Sequence, residues 1–228
     1  LLCDGTDDQV TLPASSSILT NGDTSVSLCT WFKTADGGTP RLITLHRGSG
    51  SGTAISLGLS SGTVVGLWRR ADDANRTTSS AASTYDDDEW HHACIVTDSA
   101  IPRVFLYVDD AAATFESQGY KGDHGTFAAK LCTFDAGNSH YSGLITNPTA
   151  YDKTLSSAQV LEMFNDKQKR IPYQIGATSF WPLDDCPNGT SGDGITFVDV
   201  IGGQDGTGVD GADNLVLTCT DETLLTYP

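Results

Sequence analysis

The sequence predicts an all-β fold, an antiparallel jelly-roll sandwich of two sheets, and three observations carry that prediction. The 228 residues include 24 glycines, one methionine and only 18% charged residues. With abundant Thr, Ser and Asp, this composition favours turns and β-branched strands over helices. Short apolar or alternating runs recur between turn clusters, the spacing of a sandwich or barrel. The clusters themselves, Asn21-Gly22-Asp23, Asp36-Gly37-Gly38, Gly48 to Gly52 and Ser61-Gly62, tolerate positive φ and read as hairpin connections.

Seven runs read as strands: Gln9 to Leu12, Val26 to Phe32, Arg41 to Leu45, Ala54 to Leu59, Val64 to Trp68, His92 to Thr97 and Val104 to Val108. One helix is predicted, with Ser156 as N-cap and Val160, Leu161 and Phe164 on one face. Lys167, Lys169 and Arg170 form its basic end, and Pro172 stops it. Ala177 to Leu183 reads as a further strand. From Asp184 the chain turns rich in Gly and Asp, and Leu215 to Tyr227 regains strand-forming residues that could add an edge strand or clasp a neighbour. The expected organisation is one jelly roll over residues 1–185. An extension over 186–228, too short to bury a core of its own, is expected to rest on the sandwich or on a neighbouring subunit.

A formal net charge of -16 argues against nucleic acid and anionic membrane, since polyanions are bound through clustered Lys and Arg. No run approaches the ~18 apolar residues of a bilayer span, so membrane insertion is not expected. Six cysteines, Cys3, Cys29, Cys94, Cys132, Cys186 and Cys219, lie far apart with neither a C-x-x-C pair nor zinc-ligand histidines. Their even number suits disulfides in an oxidising place, while free thiols buried as small hydrophobes are the plain alternative. Chain position alone pairs Cys3 with Cys132 and Cys186 with Cys219. Sequons at Asn75 and Asn188 permit glycans but are common by chance.

Four segments carry a resemblance: Trp90-His91-His92-Ala93-Cys94-Ile95-Val96, Phe105-Leu106-Tyr107-Val108-Asp109-Asp110, Tyr141-Ser142-Gly143-Leu144-Ile145 and Ala150 to Ser156. Together with the opening Asp4-Gly5-Thr6-Asp7-Asp8-Gln9-Val10, they resemble the concanavalin A-like laminin-G and pentraxin modules over roughly the first four-fifths of the chain. The resemblance implies the jelly roll and a disulfide between Cys29 and Cys94, which match the two strands a pentraxin bridges. It also implies loops that hold calcium and recognise glycans or phosphocholine. The sequence departs from the pentraxin pattern in those loops. Only Asp135 and Asn138 follow Cys132, Thr146-Asn147-Pro148 stands where laminin-G relatives carry an aspartate pair, and Asp110 replaces a glycine. One calcium ion held by Asp7, Asp8 and Asn147 is the metal site expected, against solvated turn acids as the plain alternative.

Trp68, followed by Arg69, is the tryptophan expected to face a ligand, with Asp135 and Asn138 as further contacts; Trp31, Trp90 and Trp181 read as core. Asp86-Asp87-Asp88-Glu89 reads as a solvated loop that discourages edge pairing. Gly58-Leu59-Ser60-Ser61-Gly62 matches a nucleophile-elbow motif but lies between two strands with no helix after it, and so reads as a hairpin. No carboxylates alternate on a strand as in a glycosidase of this fold.

The sequence therefore predicts a non-catalytic module, extracellular or on a virion surface. The first expectation is a structural or adhesive decoration protein in a homo-oligomer or array with other particle proteins. Its motive is an acidic chain without a catalytic set, and a tail similar to laminin-G-type proteins that phages encode. The alternative is a secreted lectin that binds glycans, with or without calcium.

Overall fold

The computed structural model describes residues 1–19, 25–46, 53–69, 75–80, 84–120, 122, 125–134, 139–165, 171–185, 187–209 and 218. Fifteen strands and three helices are found among them. The first half comprises β1 (Leu2–Asp4), β2 (Gln9–Ala14), α1 (Ser15–Ile18), β3 (Ser27–Lys33), β4 (Arg41–His46), β5 (Thr53–Ser60), β6 (Thr63–Arg69), β7 (Asn75–Ser79), β8 (His91–Asp98) and β9 (Arg103–Val108). The second comprises β10 (Thr114–Glu116), β11 (Ala128–Leu131), β12 (Ser142–Tyr151), α2 (Ser157–Asn165), α3 (Ile171–Gln174), β13 (Ser179–Phe180), β14 (Thr196–Phe197) and β15 (Gly206–Val209).

The strands form two antiparallel sheets. One, of seven strands, has the order β1-β12-β3-β8-β9-β10, with β13 also on β12. The other, of eight, has the order β14-β15-β2-β11-β4-β5-β6-β7. Side chains alternate across a strand, so β3 and β8 send Leu28, Phe32, Ala93 and Ile95 into the core between the sheets. The alternate residues Cys29 and Cys94 point outward, beneath Val160 and Met163 of α2. Cover on both faces is why these two strands read as nearly continuous apolar runs. Cys29 and Cys94 are paired residues on β3 and β8 and are joined by a disulfide, as the resemblance implied; a second disulfide joins Cys3 to Cys132. Cys186 and Cys219 lie outside the described residues. Ser60 pairs with Thr63 across Ser61-Gly62, both at positive φ, so the elbow-like motif is a two-residue hairpin turn.

Helix α2 begins with a capping box. Ser156 Oγ accepts the Gln159 amide, and Gln159 Oε1 accepts the Ser156 amide in return. Its inward face differs from the expected one: Val160 and Met163 are buried, and Leu161 is 44% exposed. The expected basic end, 166–170, lies outside the described residues, and Pro172 sits within the short helix α3. Beyond residue 186, β15 pairs with β2 and β14 with β15, and Phe197 enters the core. This segment is tied down by Asp199, 3% exposed. Its carboxylate accepts the backbone amides of Phe180, Ile201, Gly202 and Gln204. Among the described residues no helix is long and apolar enough to cross a membrane.

Candidate functional site

Register decides which loops meet. Asp4 pairs with Ser142, Leu144 with Lys33, Phe32 with His91 and Ala93 with Val108. The end of β1, the end of β3, the start of β8, the end of β9 and the start of β12 therefore share one end of the sandwich. Asp4, Asp7, Asp8, Asp36, Asp86 to Glu89, Asp109 and Asp110 follow or precede those strands, which makes this end strongly acidic.

A cleft of about 670 Å³ opens there, lined by Leu2, Lys33, Thr34, Ala35, Asp36, Asp88 and Ser142 to Leu144. Its walls are fastened from beneath by Tyr141, which is fully buried. The Tyr141 hydroxyl accepts the Lys33 amide at 3.1 Å and lies 2.7 and 2.8 Å from the Lys33 and Leu144 carbonyls, which compete for its proton. Burial pushes the phenol well above its ordinary pKa; the Lys33 hydrogen bond opposes this, and the charges of Asp36 and Asp88 add to it. Gly143 takes φ +143°, and a Cβ there would stand 2.3 Å from the Lys33 carbonyl, so only glycine fits this position of β12. Thr34 Oγ1 donates to the Ser142 carbonyl at 2.6 Å and accepts the Asp36 amide at 2.9 Å. Asp88 reaches the cleft because its amide donates to the Thr34 carbonyl, and its carboxylate faces Lys33 Nζ at 4.0 Å.

The loop that carries Asp88 is clamped by His91. Its Nδ1 lies 2.8 Å from Asp109 Oδ2 and its Nε2 3.0 Å from Asp87 Oδ1. Two carboxylate acceptors call for two N–H donors, which only the imidazolium provides. Burial acts to lower the His91 pKa, but the hydrogen bonds and charges of Asp109 and Asp87 together outweigh it, and the net direction is upward. The neighbouring His92 is the reverse case: burial lowers it to about 4, only partly opposed by Asp109, so it is neutral beside the Cys29–Cys94 disulfide. Cys29, His92 and Cys94 lie within ligand reach of one another, but the two sulfurs are bonded to each other and cannot serve as thiolates.

At the end of β1, whose Leu2 lines the cleft, a carboxylate oxygen from each of Asp4, Asp7 and Asp8 lies within 4.8 Å of the other two. Asp8 is fully buried, and its Oδ2 accepts the Asp4 amide at 2.9 Å. Asp4 Oδ1 accepts the Thr6 amide, while its Oδ2 is buried without a hydrogen-bond partner among the described residues. Three converging carboxylates, one with an orphaned oxygen, make an all-oxygen donor set that suits a hard cation such as calcium, with carbonyls or water needed to reach six to eight ligands.

The sequence-based ligand set is thus only partly assembled. Asp7 and Asp8 come together with Asp4, which sequence reasoning left out, although the spacing Asp4-x-x-Asp7-Asp8 was there to be read. Asn147 is elsewhere: it sits at φ 53° where the β12–β3 register shifts, and lines a small cavity with Trp31, His92 and Met163 under the helices. The ladder explains the separation, since Asp4 faces Ser142, five residues before Asn147. Trp68 does not face a ligand. It is 1% exposed in the core, and its indole N–H donates to the Gln118 carbonyl at 3.1 Å. Arg69 is also buried, at 6% exposure, which removes it as a contact for a ligand at the surface. Asp135 and Asn138 lie outside the described residues.

Solved structures with this fold include a heptameric SAP-like pentraxin from Limulus polyphemus, with a TM-score of 0.55, 15% identity, and coverage of 75% of this chain and 83% of that one. The CBM40 module of the Ruminococcus gnavus IT-sialidase gives a TM-score of 0.56, 13% identity, and coverage of 72% and 97%; it has also been solved with sialyllactose. A putative carbohydrate-binding protein from Bacteroides ovatus gives a TM-score of 0.60 at 11% identity, with 95% of this chain covering 62% of that one. A search of curated proteins finds no match. Residues 4–161 match the family model described as the concanavalin A-like lectin/glucanases superfamily, a span that begins at the carboxylate cluster and ends within α2, and the chain belongs to that superfamily.

Proposed function

We propose that this chain is a non-catalytic glycan-binding module whose cleft at the acidic end receives a neutral saccharide. The observation that carries the reading is the cleft lining: Lys33, Thr34, Asp36, Asp88 and Ser142 around Gly143. Carboxylates accept from sugar hydroxyls and the ammonium donates to them, a pairing of polar groups that fixes orientation in a ligand site. The local excess of carboxylates disfavours acidic sugars, in contrast to the sialyllactose held by the Ruminococcus module. Asp4, Asp7 and Asp8 would hold a calcium ion that fixes the loop between β1 and β2 beside the cleft. The non-catalytic reading rests on how the cleft carboxylates are engaged. Asp36 Oδ1 accepts the Gly38 amide and Asp88 faces Lys33, and no carboxylates alternate on a strand as in a glycosidase of this fold.

Two disulfides among the described residues suit an oxidising, extracytoplasmic setting. Display on a virion or other particle, as an oligomer or array, extends the proposal to its setting. Light scattering at rising concentration tests that extension, which persistent monomer would end. The glycan reading is tested on an array of neutral and sialylated glycans, with calcium and with chelator. Neutral hits lost in Asp36→Ala and Asp88→Ala are expected; binding confined to sialylated glycans, or none by folded protein, overturns it.

A further inference from the structure

The outer face of the seven-stranded sheet holds a feature that the cleft does not use. Strand β9 buries Val104, Leu106 and Val108 and turns Arg103, Phe105 and Tyr107 outward. Phe115 of β10 pairs with Phe105 and is 50% exposed. The Phe105 ring lies 5.8 Å from Phe115 and 6.3 Å from Tyr107, with tilts of 46° and 32°. The three rings thus form a shallow row across two strands at the sheet edge. The Arg103 guanidinium stands 4.6 Å from the Phe115 centroid, a cation–π contact that orients the ring. From Tyr107 the row continues into a groove of about 400 Å³ between the turn Asp109 to Ala113 and the first turns of α2, with exposed Leu161 on its far wall.

We propose that this row and groove form a second saccharide site, a shelf on which neutral pyranose rings stack, separate from the cleft at the acidic end. The proposal rests on the glycan-binding reading but not on the cleft. A pyranose has an apolar C–H face and a rim of hydroxyls, and the shelf matches both. Aromatic faces lie beside the Tyr107 hydroxyl, which has no partner among the described residues, and beside the exposed Asp110 carboxylate. Burial raises the Tyr107 pKa, so the phenol keeps its proton and can donate. The row offers two partly buried rings and one half-exposed ring, far short of the roughly 800 Å² per partner of a stable protein interface. Charge decides against the remaining occupants: the one cation of the row among the described residues, Arg103, is already engaged by Phe115, and the chain carries -16 overall. A polyanion or an anionic membrane would be repelled.

The test is affinity electrophoresis of the full chain through gels cast with a β-glucan, a mannan, a galactan or a polyuronate, with thermal melts to confirm folding. The shelf predicts retardation in at least one neutral gel and none in the polyuronate. Affinity should fall about tenfold in Phe115→Ala, as loss of one stacking face implies, and be retained in Phe115→Tyr. Tyr107→Phe should weaken it less than Phe115→Ala. Migration of the wild type as in a plain gel throughout overturns the shelf. So does retardation that survives Phe115→Ala but is lost in the Asp36 and Asp88 variants, an outcome that would leave the cleft standing alone.

Discussion

The acidic end of the sandwich and the outer face beside α2 present different chemistries because they are assembled differently. At the end, turns bring Asp4, Lys33, Asp88 and Ser142 together from four distant stretches, and Tyr141 with a set of backbone amides keeps them there. On the face, the alternation of one strand and its edge partner is enough to align Phe105, Tyr107 and Phe115. The end therefore depends on long-range register and carries charge in opposition, whereas the face is a local consequence of the pleat. Damage to long-range ties should reach the end first and leave the face in place.

The largest effect that sharpens this contrast comes from the disulfides. Cys3–Cys132 spans 129 residues and anchors the strand that leads to the acid cluster; Cys29–Cys94 spans 65 and lies under α2. Replacing either pair with alanines is expected to cost about 4 kcal/mol, with the longer loop costing roughly 0.6 kcal/mol more on chain entropy. Urea unfolding measures both, and a clearly costlier Cys29–Cys94 would show that packing around α2, not loop closure, governs the difference. Next is the cation: calcium at a hundredfold excess over its Kd should stabilise the wild type by about 2.7 kcal/mol. Asp4→Asn should abolish that gain and Phe115→Ala should not. Equal melting curves in calcium and chelator would remove the ion from the acidic end.

Tyr141→Phe should cost about 1–3 kcal/mol, because the Lys33 amide loses a buried acceptor. It should also weaken ligand binding at the cleft while leaving Phe115-dependent binding intact. Loss of both would erase the distinction between the regions.

The smallest effect is the pH response of the His91 clamp. The His91 pKa is raised on folding, so its contribution is complete below the unfolded value near 6.5 and fades as pH climbs through the folded value. At Asp87, burial acts upward but is outweighed by hydrogen bonds from His91 and the Glu89 amide and by the imidazolium charge. Its lowered carboxyl makes a contribution present above 3.8 and lost as pH falls through the folded value. The clamp is thus firmest between those limits. His91→Gln should flatten the alkaline side of the melting profile, and an unchanged slope would mean the clamp bears no load.

Much of the sandwich was legible because burial imposes a period on the chain. The seven predicted runs from Gln9 to Val108 all lie within or overlap observed strands, and the further run Ala177 to Leu183 contains only the two-residue β13. The short strands β10, β14 and β15 were not legible, since runs of two to four residues with at most two buried positions make no pattern. The acid cluster was two-thirds visible; Asn147 was misplaced because its position depends on the register of β1 against β12, which no local signal sets. Trp68 was misread for a related reason. Adjacent Trp68 and Arg69 are both buried, although strand alternation would turn one of them to solvent, and the Gln118 segment that covers the indole is fifty residues away.

The four amides around Asp199 have a meaning beyond anchoring. They make an anion receptor within the protein, and its permanent guest is one of the chain's own carboxylates. An asparagine there would set N–H against N–H at nearly unchanged shape. What this position selects is the sign of a charge and not a volume, so a chain with a large surplus of negative charge has an interior point that requires one.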